Sequence, residues 1–300
     1  MAERTKYLIT RSVSTKIINF LNNSGGTRRS SLSFKVNKII FLLAIYKKKI
    51  IGCIPLEPRN FKFDKKIEKV YFITNAYIKK EFQNLGIGSN LIRLFKKKIN
   101  NPIFAFRLIK NDQTSKWYKK NNFKKIFDIF SYELETKNIK KLFNKKGEIN
   151  QKFIRINISN SRIWKKIQNL RNSNFLNNYH NFLFSNYYKN FYIKKFFYVN
   201  NVQNIEYFVF LVLTKLGDNI FRFEIIDNNL NDEQLKKFLT FFINTREYKK
   251  IKKLRIKVIK KNKIKLSLRR YFKKMNYQSS LSTNLKEQIN DLKFNQIEYV

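Results

Sequence analysis

Gln83-x-x-Gly86-x-Gly88, set between an apolar β-rich run and an amphipathic helical one, is the segment of this chain best suited to chemistry. The first turn of a helix has backbone N–H groups without intrahelical partners and carries a partial positive charge. A glycine-bearing loop at that end lets the backbone close on an anion such as a pyrophosphate. The same residues also make an ordinary turn and helix cap, and the spacing alone leaves both readings open. It does exclude others: the nucleoside-triphosphate loop needs a Lys-Ser or Lys-Thr pair that is missing here, and the dinucleotide fingerprint needs a third glycine. Cys53 lies inside an apolar strand with no histidine near it in sequence, so it reads as core rather than nucleophile. His180 is the single histidine and Cys53 the single cysteine, which excludes a histidine-cluster metal site and an internal disulfide.

The elements that must position these residues follow from patterning. Residues 13–22 read as a short amphipathic helix. Lys38–Tyr46 and Lys48–Leu56 read as a hairpin, with Pro55 and Pro58 ending its second strand. A strand over Lys69–Ile78 leads through the glycine motif into a helix from Ser89 to about Ile99. On that helix Leu91, Ile92, Phe95 and Ile99 share a face, and Lys96–Lys98 suit its C-terminal end. Ile103–Ile109 is a strand, Gln113–Lys120 a helix and Ile126–Glu135 another strand. The order is α–β–β–β–α–β–α–β, a mixed α/β domain. A polar, lysine-rich stretch over 136–160 places a division near residue 145, giving domains 1–145 and 146–300. Beyond it come strands at Ile205–Thr214 and Asn219–Asp227, a helix at Asp232–Asn244, a strand at Leu254–Ile259 and a basic helix at Ile264–Lys274. This order repeats the back of the first half, and Lys119–Phe123 aligns with Lys273–Tyr277. Duplication and chance both remain open, because Lys and Asn are abundant throughout.

The chain has 300 residues, enough for two domains that each bury a core. With 43% hydrophobic and 16% aromatic residues it is too apolar for a disordered basic tail. No apolar run approaches the roughly 18 residues that span a bilayer. Met1–Lys6 is followed by only Tyr7-Leu8-Ile9 as an apolar segment, so a soluble cytoplasmic protein without a signal peptide is expected. The 64 Lys and Arg against 20 Asp and Glu give a net charge of +44. The 49 lysines are spread along the whole chain, however, and the 15 arginines, the better phosphate and guanine ligands, are few. AT-rich coding drift accounts for this better than a dedicated polyanion surface. Any nucleic-acid binding should then be non-specific and salt-sensitive. The same bias makes the seven glycines informative, and Gly86 and Gly88 read as kept for the backbone.

Gln83, Gly86 and Gly88, with Ile87 and Leu91 at apolar positions, match the acyl-coenzyme A motif of the GNAT superfamily of N-acetyltransferases. That motif has Arg or Gln, then two residues, Gly, one residue, and Gly or Ala, between the fourth strand and third helix. Asn111, Thr114, Trp117, Tyr118 and Phe123 resemble a second signature of that superfamily, with Asn122 in place of its usual glycine. Asn tolerates the left-handed conformation, so that departure is mild. The resemblance covers about residues 5–135. It implies an α/β mixed-sheet acyl-CoA-binding domain, followed here by a second, degenerate GNAT-like or accessory domain.

The resemblance further implies acetyl-CoA as cosubstrate, with no metal, and a primary amine as acceptor. The N–H groups of Leu85, Gly86, Ile87, Gly88 and Ser89 would hold the pyrophosphate. Backbone groups of Ala76 and Ile78, together with Asn111, would hold the pantetheine arm, and Tyr118 would be the general acid that protonates the thiolate. Glu57 and Glu68 are weaker candidates for the base, beside a water relay. Ile51–Leu56 and Ile73–Tyr77 resemble relatives encoded near surface-polysaccharide genes, which implies an amino sugar or another small amine. The alternatives are protein or peptide N-acetylation, and a non-catalytic nucleic-acid-binding protein on a GNAT scaffold. In the second half Gly217 is the last glycine, Asp232 and Glu233 open the helix, and Phe272 stands opposite Tyr118 in the alignment. Neither coenzyme binding nor acid catalysis is expected there.

Overall fold

Runs of β-branched and aromatic residues such as Ile40–Tyr46 and Phe208–Thr214 fit a pleated, buried surface, and they set the frame of the protein. The computed structural model describes residues 4–24, 38–63, 66–74, 76–108, 112–135, 153–156, 161–170, 192–217, 220–245, 254–260, 273–274 and 279–284. In chain order the elements begin with β1 (Lys6–Thr10), α1 (Thr15–Asn22), β2 (Ile40–Tyr46), β3 (Lys49–Phe63), β4 (Lys66–Ile73) and β5 (Tyr77–Ile78). A 3-10 turn (Lys80–Phe82) leads to α2 (Ile87–Lys98), β6 (Ile103–Leu108), α3 (Asp112–Lys120) and β7 (Lys124–Glu135). Then come β8 (Ile154–Ile156), α4 (Ser161–Leu170), β9 (Tyr192–Val199), β10 (Phe208–Gly217) and β11 (Ile220–Asn228). The order closes with α5 (Asp232–Ile243), β12 (Leu254–Lys260), β13 (Lys273–Lys274) and β14 (Ser279–Thr283).

The chain divides into two units. In the first, the strand order is β1-β2-β3-β4-β6-β14, and only the β4–β6 pair is parallel. Strand alternation gives the sheet two apolar faces. One carries Leu42, Ile54, Leu56, Tyr71, Ile103 and Ala105 against Leu91, Ile92 and Phe95 of α2 and Tyr118 of α3. On the other, Phe41, Leu43 and Cys53 meet Ile17 and Leu21 of α1. Ser14 caps α1, its hydroxyl accepting from Ile17 N.

Three features depart from the patterning. β1 precedes α1 and pairs with β2, although its five residues carry little periodicity. β3 does not end at Pro55 and Pro58 but runs through both to Phe63. The two prolines flank the place where β3 hands over from β2 to β4, and proline is accepted where one side of a strand lacks a partner. The single strand expected over Lys69–Ile78 is two: β4 stops at Ile73, and β5 returns to pair with Gly52 and Cys53 of β3.

The second unit has the order β7-β12-β11-β10-β9-β8, again with one parallel pair, β11–β12. Leu235, Phe238, Leu239 and Phe242 of α5 pack on Phe223, Ile225, Leu211 and Leu213 of its sheet. The expected paired strands around Gly217 are β10 and β11. Lys273–Lys274 form a strand on β7, whereas Lys119–Lys120 close a helix. The expected continuation of a basic helix to Lys274 is therefore corrected, and the Lys119–Phe123 alignment fails at its first two positions. The division expected near residue 145, and Phe272, lie outside the described residues. Both units contain a strand–helix–strand crossover, β4-α2-β6 in one and β11-α5-β12 in the other. Each parallel pair is flanked by a strand from the opposite half of the sequence. β7 follows α3 but lies on β12, and β14 follows β13 but lies on β6.

Candidate active site

The loop from β5 into α2 is built by its own residues. Lys79 N donates to Ile51 O at 2.9 Å, and Gln83 Nε2 donates to Ile78 O at 2.9 Å, so the motif glutamine ties the loop back to the strand before it. Asn84 has φ +65°, and Gly86 has φ +76° and ψ 1°, a left-handed turn that opens α2. Asn90 N donates to Gly86 O at 3.0 Å, which begins the helical ladder. The N–H groups of Ile87, Gly88 and Ser89 precede that ladder. No side chain caps this helix end and no acidic residue lies in its first turn. It can receive an anion.

Beside it two strands part. β4 and β6 pair in parallel through Tyr71–Ile73 and Ile103–Ala105. Beyond Ile73 the chain turns to β3, Thr74 N donating to Pro55 O at 3.0 Å, while β6 continues along β14 to Leu108. Ala76 is exposed and Ile78 half-buried on the side that leaves. Gly52 permits this turn: a β-carbon there would lie 2.5 Å from Ile78 Cδ1 and 3.3 Å from Ile87. The sequence showed Gly52 only within the strand Lys48–Leu56 and the run Ile51–Leu56, without this packing role.

The motif residues thus divide by role. Leu85 is 66% exposed, an apolar side chain in water at the mouth of the loop, while Ile87 is buried in the core beneath. A β-carbon on Gly86 would meet nothing within 4 Å, so its glycine is required by φ alone. One on Gly88 would lie 2.9 Å from Trp117 Nε1, so that glycine makes room for the indole of α3. Asn121 Nδ2 donates to Ser89 Oγ at 3.0 Å and to Trp117 O at 2.8 Å, fastening the end of α3 to the start of α2. Asn121 was not singled out in sequence; its signal is a buried amide beside the aromatic pair.

Tyr118 is 5% exposed, its ring 4.9 Å from that of Trp117 and 5.1 Å from that of Phe123, on the α2 and α3 face of the sheet. Asn122 has φ +63°, the left-handed conformation its replacement of glycine demanded. Glu57 is 6% exposed on β3, opposite Phe72, and Oε1 accepts from Arg59 Nε at 3.1 Å. The Arg59 guanidinium lies 4.1 Å from the centre of the Phe72 ring. Next to Leu56 in strand alternation, Glu57 occupies the sheet face opposite Tyr118. Glu68 is exposed and pairs with Phe61. Burial pushes the Cys53 thiol up, as suits a core residue. Asn111 and His180 lie outside the described residues.

The corresponding helix end in the second unit is closed. Asn231 Oδ1 accepts from Gln234 N at 2.9 Å and Gln234 Oε1 accepts from Asn231 N at 2.8 Å, with Asp232 and Glu233 in the first turn. A phosphate would meet two carboxylates there, and the N–H groups of Asn231 and Gln234 are already satisfied.

Residues 37–125, which reach from the approach to β2 past α3, match the acetyltransferase (GNAT) domain family. The chain carries a GNAT domain. That places it among the acyltransferases. No curated protein matches the sequence. Among solved structures, the chain is similar to a GCN5-related N-acetyltransferase from Anabaena variabilis, with TM-score 0.62 and 12% identity over 93% of this chain and 72% of that one. It is similar to a tandem GNAT protein from the clavulanic acid biosynthesis pathway, with TM-score 0.56 and 8% identity over 93% and 98%. It is also similar to Saccharomyces cerevisiae N-myristoyltransferase, solved with bound myristoyl-CoA, with TM-score 0.58 and 10% identity over 99% and 90%. At these identities the likeness is one of fold, and it extends beyond the GNAT domain into the second half. Among the described residues no helix is long and apolar enough to cross a membrane.

Proposed function

We propose that the chain is an acetyl-coenzyme A-dependent N-acyltransferase that carries an acetyl group to a primary amine by direct attack. In this reading the first half is catalytic and the second is an accessory, degenerate GNAT-like domain. The observation that carries it is the uncapped, glycine-opened end of α2 beside the parting of β4 and β6. The backbone N–H groups from Leu85 to Ser89 bind the pyrophosphate, and backbone groups of Ala76 and Ile78 guide the pantetheine arm. Bound acetyl-CoA supplies an activated acyl group. Tyr118 donates its phenolic proton to the departing sulfur, a role open to a group within hydrogen-bond reach.

Of the two carboxylates, Glu57 lies nearer the parting but on the sheet face away from Tyr118, so a proton from the amine reaches it through a water relay. It neighbours Leu56, which pairs with Ile73 at the parting, and Arg59 orients it. Glu68 lies five residues before Ile73, about 16 Å along an extended strand, and turns to solvent. The acceptor is an amino sugar or another small amine.

The reading is tested by following free thiol released from acetyl-CoA with a panel of amino sugars, simple amines and lysine peptides. Tyr118→Phe keeps the ring packing and removes the proton donor. It should lower kcat about 10²–10⁴-fold and leave the KM for acetyl-CoA nearly unchanged. Normal turnover of that variant removes Tyr118 from the mechanism, and activity confined to lysine peptides replaces the small-amine acceptor.

A further inference from the structure

The row Ile73–Ala105–Ser282 runs across β4, β6 and β14 at the last place where β4 and β6 are paired. Ser282 is 0% exposed, and its Oγ is buried without a hydrogen-bond partner among the described residues; Thr74 Oγ1, one residue past Ile73, is in the same state. A buried hydroxyl left unpaired is costly, so native proteins seldom keep one without a use. Its neighbours Thr283 and Asn284, by contrast, are bonded to Ile103. Thr283 Oγ1 donates to Ile103 O at 2.9 Å, Asn284 Oδ1 accepts from Ile103 N at 2.7 Å, and Asn284 N donates to Ile103 O at 3.2 Å. These bonds lock the register that brings Ser282 beside Ala105. Residues in register point to the same side of a sheet. Ser282 therefore shares the face of Ala105 and the cluster containing Tyr118.

We propose that Ser282, on a strand returned to the first unit from late in the chain, is a binding residue of the acyl-transfer site. Its hydroxyl donates a hydrogen bond to a carbonyl oxygen of the acyl-pantetheine chain where β4 and β6 separate. The inference rests on the acetyl-CoA reading and adds a residue outside the matched GNAT domain. It also gives the strand exchange a role in the site, since β14 supplies a ligand-facing group that residues 1–135 lack.

The test is Ser282→Ala in the full chain, measured by thermal melting of the free protein and by calorimetry with acetyl-CoA and with coenzyme A. Removing an unpaired buried hydroxyl should leave the melting temperature of the free protein unchanged or higher. Affinity for acetyl-CoA should fall about fivefold to tenfold, as for one lost hydrogen bond to a neutral acceptor. A loss for acetyl-CoA alone identifies the thioester carbonyl as the partner, and an equal loss for coenzyme A identifies a pantetheine amide. If wild type binds and the variant binds equally well, the Ser282 proposal is wrong and the acetyl-CoA reading stands. A lower melting temperature with unchanged affinity makes Ser282 structural only. If wild type itself fails to bind either ligand, both readings fall together.

Discussion

Two glycines two residues apart do different work. Gly86 is needed for a left-handed φ of +76°, with open space around it, whereas Gly88 has ordinary backbone and the Trp117 indole where its side chain would be. Gly86→Ala should therefore cost about 1 kcal/mol from left-handed strain and leave the core in place. Gly88→Ala must push the indole, costing about 1–3 kcal/mol as overpacking does. Intrinsic fluorescence separates them, because the chain has two tryptophans and Trp117 is one. Gly88→Ala should change the emission of the folded protein and Gly86→Ala should not; identical spectra for both would contradict the assignment. The pair was legible from its rarity in a glycine-poor sequence, but the reason for Gly88 was not, since Trp117 is 29 positions away and meets it only through the fold. Asn122 could be read correctly because left-handed tolerance belongs to the residue itself. The pairing of Glu57 with Arg59 across strand alternation could not be weighed in advance, as both look like surface charges in a lysine-rich chain.

At the scale of elements, α2 and α5 occupy equivalent crossovers and have opposite N-termini, one open and glycine-bearing, the other sealed by Asn231 and Gln234. Asn231→Ala should remove the capping box and cost about 1 kcal/mol, seen as a lower melting temperature, with acetyl-CoA affinity unchanged. Loss of acetyl-CoA binding in that variant would assign the ligand to α5 instead. α1, α2, α3 and α5 were legible because their apolar residues recur on one face, and β2, β6 and β10 because each is a compact apolar run, whereas α4 was not expected. β5 and β14 were not. β5 has two residues, and β14 reads Ser-Ser-Leu-Ser-Thr, polar enough to pass for a loop; both are made strands by neighbours remote in sequence. Pro55 and Pro58 misled for a related reason, since proline ends a strand only when both its sides need hydrogen bonds.

At the scale of the whole chain, the two halves share a β-α-β core and exchange their following strands, yet among the described residues the crossover helix is uncapped and glycine-opened only in the first. The +44 charge makes no such distinction between them, being spread along the sequence, and so it does not locate the site. In the proposed reading the site is set by backbone geometry: an uncapped helix end, a left-handed glycine and a pair of strands that separate. A single coenzyme site is therefore predicted in a chain whose two halves share this crossover. Calorimetric titration of the full chain with acetyl-CoA tests this most directly. One site per chain is the predicted result, with affinity weakened by Gly86→Val and untouched by Asn231→Ala. Two sites per chain, or no binding at concentrations well above those that saturate acyltransferases, would contradict it.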